Sequence, residues 1–190
     1  MNETREQIIE TTAELLEMQG YLGTGLNQII KESGAPKGSL YYHFPQGKEQ
    51  FTTEAVHRIA QTIEERIRTN LAAIDNPGEA VAEFILKVAH YVEATEFAKG
   101  GGITTVALES ITTSERIREA CKEAYDLWQA AVEAKLVQSG YEPQRAKRLA
   151  ALIISSIEGA IILSRTSHSL APMKRIAEEL KLLLQSTHKS

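Results

Sequence analysis

Residues 20–44, with the sequence GYLGTGLNQIIKESGAPKGSLYYHF, constrain the fold of this chain more than any other segment. Two short runs with helical spacing of apolar residues meet at Gly34, which can supply a left-handed turn, and Pro36 suits the start of the next helix. In the second run, Leu40 and Phe44 lie four residues apart and therefore share one face of a helix. The segment predicts two short helices packed around a tight turn.

Helix-forming runs fill the rest of the chain, which has only 12 Gly and 5 Pro among its 190 residues. The long helix-forming runs, separated at the few points where Gly and Pro cluster, predict an all-α fold of about nine helices. The expected limits are about 3–19, 25–33, 37–44, 48–73, 79–97, 104–111, 115–138, 143–165 and 170–185. We divide the chain into a three-helix segment (1–48), a connecting fourth helix (49–75) and a C-terminal helical domain (76–190).

The charge is distributed unevenly along the chain. A net charge of −4 argues against unspecific binding of nucleic acid by the whole surface. From Ala35 to Lys48, however, there are two lysines and no acid. Five acids of the first helix recur every three or four residues and predict a solvated stripe on its outer side, namely Glu3, Glu6, Glu10, Glu14 and Glu17. A rigid helix pair with a polar, acid-free face is suited to the major groove of DNA.

The run GTGLNQIIKESGAPKGSLYYHF, followed by KEQF, resembles the DNA-binding domain of the tetracycline-repressor (TetR) family of bacterial transcriptional regulators. The motif spans residues 20–51, and the helix plan is similar to that of the family over the whole chain. The turn Pro45-Gln46-Gly47 is one residue longer than usual and resembles a Bacillus-type subgroup with repressors of lincomycin-resistance and flavonoid-degradation genes. That subgroup commonly has Gly-Cys-Pro near the start of helix 6, where this chain has Gly101-Gly102-Ile103.

The resemblance implies DNA contacts from the starts of helices 2 and 4 and from helix 3. Thr24, the expected N-cap of helix 2, and Gly25 would offer a hydroxyl and a backbone N–H to a phosphate. Lys37 would reach a base edge or a phosphate, and Lys48 would bind a phosphate. The remaining expected contacts are Gly38, Ser39, Tyr41, Tyr42 and His43. Core packing is the alternative for the two tyrosines. A solvated side chain without a DNA contact is the alternative for Lys37, where we favour contact, and for Lys31, where we favour neither.

Helix 8 is apolar over much of its circumference, more than a surface helix that faces water. In helix 9 the apolar residues recur at spacings of three, four and three residues, which predicts antiparallel helix packing. The resemblance implies a four-helix interface between two copies of the chain. The expected interface residues are Ile153, Ile157, Ile161, Met173, Ile176, Leu180 and Leu183. The alternative is that both helices are internal core. A homodimer would suit DNA binding of this kind. Its two helix-turn-helix domains must lie about 34–36 Å apart on a pseudo-palindromic operator in double-stranded DNA.

Aromatic residues are frequent in helices 5 and 7, where the resemblance implies a pocket for a small hydrophobic or aromatic inducer. The candidate pocket residues are Phe84, His90, Tyr91, Glu109, Tyr125 and Trp128. Ordinary aromatic core is the alternative for each of them.

These patterns predict a ligand-responsive, sequence-specific transcriptional repressor. An activator would have the same features, and the alternative of another class is a small-molecule-binding protein or enzyme with an incidental helix-turn-helix. The chain shows no convergent catalytic set and no metal-ligand spacing, so we expect a protein that is not an enzyme and has no metal or cofactor. The single cysteine and the polar N-terminus favour the cytoplasm. The longest apolar run, near 149–163, contains Ser155, Ser156 and Glu158 and is not expected to span a membrane.

Overall fold

The computed structural model describes residues 3–186, and all regular elements in this part are α-helices. The all-α prediction is therefore confirmed. Residues 1–2 and 187–190 of the predicted segments lie outside the described part. The helices are α1 (Glu3–Gly23), α2 (Leu26–Ser33), α3 (Lys37–His43), α4 (Lys48–Ala72), α5 (Pro77–Ala94), α6 (Gly102–Ser110), α7 (Glu115–Gln138), α8 (Pro143–Ser167) and α9 (Ala171–Ser186).

The limits of α5 differ from the prediction at both ends. The helix begins at Pro77, two residues earlier than expected, because the Asn76 side chain caps it by accepting a hydrogen bond from the Glu79 N–H at 3.0 Å. It ends at Ala94 rather than at Phe97. Phe97 has a left-handed backbone conformation with a φ of 62°, which a helix cannot include.

α1 is interrupted at Gly20, whose φ of 73° and ψ of −174° lie outside the helical region. The hydroxyl of Thr24 donates a hydrogen bond to the Gly20 carbonyl at 2.6 Å, and Thr24 is wholly buried. The N-cap of α2 is Gly25, without a side-chain cap. The predicted capping role of Thr24 is therefore wrong, because its hydroxyl is used inside the turn between α1 and α2.

The chain forms two compact units, and the first contains the residues up to Thr62 together with Gly101–Ala124. α2 and α3 pack against α1 in this unit, as does α6 from much further along the sequence. Leu40 and Phe44 are inaccessible to solvent, which confirms the buried stripe predicted for α3. Other side chains with no solvent exposure complete this core, among them Ile8, Leu16, Ile29 and Phe51.

The contact between α1 and α6 depends on glycine. A Cβ atom at Gly102 would lie 2.8 Å from the Cα of Glu17, which belongs to the backbone of α1. A Cβ at Gly20 would lie 2.7 Å and 2.8 Å from the two carboxylate oxygens of Glu109 and 2.8 Å from Cγ2 of Thr105. At Gly102 the two helices therefore approach each other more closely than a larger residue would allow, and at Gly20 the φ of 73° itself disfavours a larger residue.

The second unit contains Ile63–Gly100 and the residues from Tyr125 onward, so that α4 and α7 contribute residues to both units. α9 packs against α5 and α8. The guanidinium of Arg165, in the last turns of α8, donates hydrogen bonds to three backbone carbonyls between α5 and α6, at 2.7 to 3.0 Å. They belong to Phe97, Ala98 and Gly100. These bonds attach the segment that follows α5 to the end of α8.

α8 is the one helix of the described residues that is long and apolar enough to cross a membrane by length and composition. Its most apolar window has a mean hydropathy of 1.5, and 44% of that window is buried within the chain. The core helix of a globular protein has the same properties, so this observation is weak evidence for a membrane.

The glycine contact predicts that Gly102→Ala destabilises the first unit. The added methyl would force the backbones of α6 and α1 apart, and overpacking of this kind costs about 1–3 kcal/mol in the free energy of unfolding. Denaturant unfolding followed by circular dichroism measures the change. Gly38→Ala is the matched control, because a Cβ at Gly38 meets no atom within 4 Å. A Gly102→Ala variant as stable as the control would contradict the close contact.

Candidate nucleic-acid interface

α3 presents its polar side chains to solvent. Burial of Leu40 and Phe44 fixes the orientation of this short helix, which leaves Lys37 and Gly38 exposed. Tyr41 is 52% exposed and Tyr42 is 80% exposed, so the alternative of core packing does not apply to the tyrosines. Ser39 and His43 are half-buried, and the His43 ring lies edge-on to Tyr42 with a centroid distance of 4.9 Å.

The start of α2 lies open to solvent at Gly25. Gly25 has an extended backbone, and no side chain caps the helix there. The first N–H groups of a helix bind anions when no side chain occupies them. Thr24 cannot offer its hydroxyl as expected, since that group is buried and donates to the Gly20 carbonyl.

Lys48, at the start of α4, lies close to the end of α1. Its ammonium nitrogen lies 4.3 Å from the centroid of the Tyr21 ring, within the range of a cation–π interaction. Burial lowers the pKa of the Lys48 ammonium, and the Glu109 carboxylate opposes this by raising it. The ring and the carboxylate thus both act on a half-buried cation at the start of α4.

Basic residues neutralise part of the acidic stripe of α1. Arg58 of α4 pairs with Glu6 and, at 3.7 Å, with Glu10, while Arg5 lies 3.8 Å from Glu6 and also pairs with Glu54 of α4. The outer side of α1 is therefore partly paired rather than wholly solvated. The segment from Ala35 to Lys48, by contrast, contains no carboxylate side chain.

The end of α6 and the start of α7 contact the head, which we define as α1–α3 with the first turn of α4. Glu109 accepts a hydrogen bond from the Leu22 N–H at 2.9 Å. The hydroxyl of Ser114 donates to the Glu49 carboxylate, and the guanidinium of Arg116 donates to the Gln46 side chain. Sequence reasoning missed these contacts because 65 to 87 residues separate the partners.

Comparison with known proteins identifies the family. The profile described as "Bacterial regulatory proteins, tetR family" matches residues 8–55, and that described as "Transcriptional regulator LmrA/YxaF-like, C-terminal domain" matches residues 77–179. The chain is 42% identical to the HTH-type transcriptional regulator LmrA of Bacillus subtilis over 183 residues, which cover 96% of this chain and 97% of LmrA. It belongs to the TetR family of bacterial transcriptional regulators.

Two further comparisons agree with this assignment. The regulator YxaF of Bacillus subtilis is 40% identical over 183 residues, 96% of each chain. A TetR transcriptional regulator from Chloroflexus aurantiacus has a similar structure, with a TM-score of 0.80 and 28% identity over 96% of this chain and 94% of that one. The reduced form of NemR from Escherichia coli shares the fold, with a TM-score of 0.82 and 23% identity over 95% and 96% of the two chains.

This TetR-family chain is thus a DNA-binding transcriptional regulator with a helix-turn-helix, as the sequence predicted. The resemblance to the Bacillus-type subgroup is confirmed by LmrA and YxaF. Its relatives are named as regulators rather than as enzymes.

The predicted pocket residues are only partly brought together. In the second unit, Phe84 and Trp128 are buried, Tyr91 and Tyr125 are half-buried, and the Tyr125 and Trp128 rings lie edge-on with centroids 5.3 Å apart. His90 is exposed and does not face the interior as an anchor should. Glu109 belongs to the first unit, where it is hydrogen-bonded to Leu22.

Most residues predicted for the dimer interface lie in the core of their own chain. These are Ile153, Ile157, Ile161, Met173 and Leu180, each at most 5% exposed. Their assignment to the interface is corrected, because a side chain packed inside one copy is not available to a second copy. Ile176 and Leu183 are half-buried.

The sole cysteine, Cys121, lies in the core of the first unit at 2% exposure. Burial raises the pKa of its thiol to about 11, so the thiol is neutral at physiological pH. Within residues 3–186, no group of three or more His, Cys, Asp or Glu side chains is arranged to hold a metal ion.

Proposed function

We propose that this regulator is a cytoplasmic repressor that binds a pseudo-palindromic operator as a homodimer and is released by a small hydrophobic or aromatic inducer. The observation that supports DNA recognition is the exposed face of α3, where Lys37, Tyr41 and Tyr42 project from a helix held by buried Leu40 and Phe44. Recognition helices of helix-turn-helix proteins present such a face to the major groove.

The position of each residue supports its proposed DNA contact. Gly25 offers the open start of α2 to a phosphate, and Lys48 offers its ammonium to a phosphate beside α4. Lys37 reaches base edges, and its neighbour Gly38 permits a close approach to the DNA. Ser39 and His43 contact the backbone, while the tyrosine rings contact the backbone and thymine methyl groups.

An activator would use the same DNA contacts. A reporter gene placed behind the bound operator distinguishes repression from activation. When the gene for the regulator is deleted, repression predicts higher reporter expression and activation predicts lower reporter expression. The alternative of an enzyme with an incidental helix-turn-helix predicts no binding to the DNA upstream of the regulator's own gene.

The exposed side of α8 supports a dimer. Leu152 and Leu163 are exposed on this side, with small residues between them at helical spacing, namely Ser155, Ser156 and Gly159. A Cβ at Gly159 would meet no atom within 4 Å, so the space beside it is open. Small residues flanked by leucines allow two helices to pack closely. This face replaces the buried residues predicted from the sequence.

The second unit supports an inducer site. Phe84, Tyr91, Tyr125 and Trp128 supply aromatic surface, which suits an apolar ligand. α4 contributes residues to both units, so a ligand that displaces α4 would affect the head. A coupling free energy of about 1–3 kcal/mol would weaken operator binding by one to two orders of magnitude.

We expect different effects from the two lysines in DNA binding. Lys48→Ala should weaken binding to all duplexes by a similar factor, because one phosphate contact is lost. It should also lower the slope of log K against log salt concentration by about one per half-site. Lys37→Ala should reduce the preference for operator over unrelated DNA, because a base contact is lost. Fluorescence anisotropy over a range of salt concentrations measures both effects. An equal loss of preference in the two variants would overturn these roles.

The dimer face predicts that Leu163→Glu produces monomers with much weaker operator binding, because it places a charge within the apolar contact. Sedimentation equilibrium measures the mass of the particle. Val137→Glu is the matched control, since Val137 is also an exposed apolar residue of the second unit but lies on α7. A Leu163→Glu variant that stays dimeric would contradict the assignment of this face.

The inducer site predicts that an aromatic ligand changes the fluorescence of Trp128, the only tryptophan of the chain. Titration with plant flavonoids, and with lincomycin as a more polar alternative, tests this. A ligand that binds should also reduce operator binding, and Phe84→Ala should weaken both effects. His90→Ala is the control, because His90 is exposed. Ligand binding without loss of operator binding would refute the inducer role.

A further inference from the structure

The segment from Glu109 to Arg116 contacts the head at three separate points. Glu109 meets the Leu22 backbone in the last turn of α1, Arg116 meets Gln46 in the turn between α3 and α4, and Ser114 meets Glu49 in the first turn of α4. All of these residues belong to the first unit. Two of these contacts flank Lys48 in the sequence, since Lys48 lies between Gln46 and Glu49, and its ammonium rests on the ring of Tyr21.

Glu109 makes the central contact. It is the only ionisable residue of α6, and one carboxylate oxygen accepts from the Leu22 N–H at 2.9 Å. Both carboxylate oxygens also occupy the space that a side chain at Gly20 would need. A charged acceptor on a backbone N–H makes a stronger hydrogen bond than a neutral one. The carboxylate thus fixes the backbone at the point where α1 leaves its helical path.

This fixed backbone carries the ring that orients the lysine. Tyr21 is next to Leu22 in the chain, and its ring centroid lies 4.3 Å from the Lys48 ammonium. The Glu109 carboxylate acts on the same ammonium, since it raises the Lys48 pKa against the effect of burial. A lysine side chain has many rotamers, and holding it in one arrangement before binding reduces the ordering cost of a phosphate contact.

We infer that Glu109 is a positioning residue of the DNA-binding site: by holding the Leu22 backbone it places Tyr21, and through Tyr21 the Lys48 ammonium, for a phosphate contact. Glu109 itself does not touch the DNA. The inference rests on the proposed phosphate contact of Lys48. It assigns the carboxylate to the head rather than to an inducer site.

A double-mutant cycle between Glu109 and Lys48 tests this role. The duplex is selected from random-sequence DNA by the wild-type protein, and affinities are measured on full-length chains. Glu109→Ala is expected to weaken binding about tenfold when Lys48 is present, but less than twofold in the Lys48→Ala background, because the positioned group is then absent. Glu109→Gln keeps an acceptor oxygen at the same reach and should restore affinity to within about threefold of the wild type.

Controls separate positioning from a general loss of structure. Glu115→Ala removes a carboxylate of the same unit that pairs with Arg118 of its own helix, and it should leave affinity unchanged in both backgrounds. If circular dichroism shows that Glu109→Ala has lost its helices, Glu109→Asp replaces it in the same cycle, since it keeps the charge and shortens the reach.

Two results would overturn the inference: an equal loss of affinity in both backgrounds, or no loss when Lys48 is present. Failure of the wild-type chain to select any duplex would instead count against the proposed function. Binding by the wild type with equal losses in the two backgrounds would count against the positioning role alone.

Discussion

The close contact between α1 and α6 is the constraint on which the DNA-binding half of this regulator depends. At Gly102 the backbone of α6 lies so near Glu17 of α1 that a single methyl group would not fit. This approach brings the end of α6 to the last turn of α1, where Glu109 meets Leu22. The head thus shares its compact unit with a helix from a distant part of the sequence, which packs against α1.

Local features of the fold were predictable from the sequence, because they depend on neighbouring residues. Gly34 ends α2 in the expected left-handed conformation, and the four-residue spacing of Leu40 and Phe44 gave the buried side of α3 correctly. Errors arose where two local signals compete. Thr24 has the chemistry of an N-cap, but the left-handed backbone at Gly20 leaves a carbonyl that its hydroxyl satisfies instead.

Long-range packing was not predictable in the same way. The apolar stripes of α8 and α9 correctly indicate faces that must be buried, but periodicity does not say whether the chain itself or a second copy covers them. Ile153 and Met173 turned out to be core, whereas the less apolar face around Gly159 is open. Likewise, Glu109 is the lone charge of an apolar helix, and only the fold shows that its partner is a backbone N–H of the head.

The exposure of the α3 side chains bears on how such regulators diverge. Lys37, Tyr41 and Tyr42 are exposed, whereas the residues that hold α3 in place are fully buried. Surface substitutions usually change stability little, while substitutions in the core change it greatly. Mutation can therefore alter the recognition surface without passing through unstable intermediates. Gene duplication followed by a few substitutions on this face could give related chains with the same frame and different target sequences.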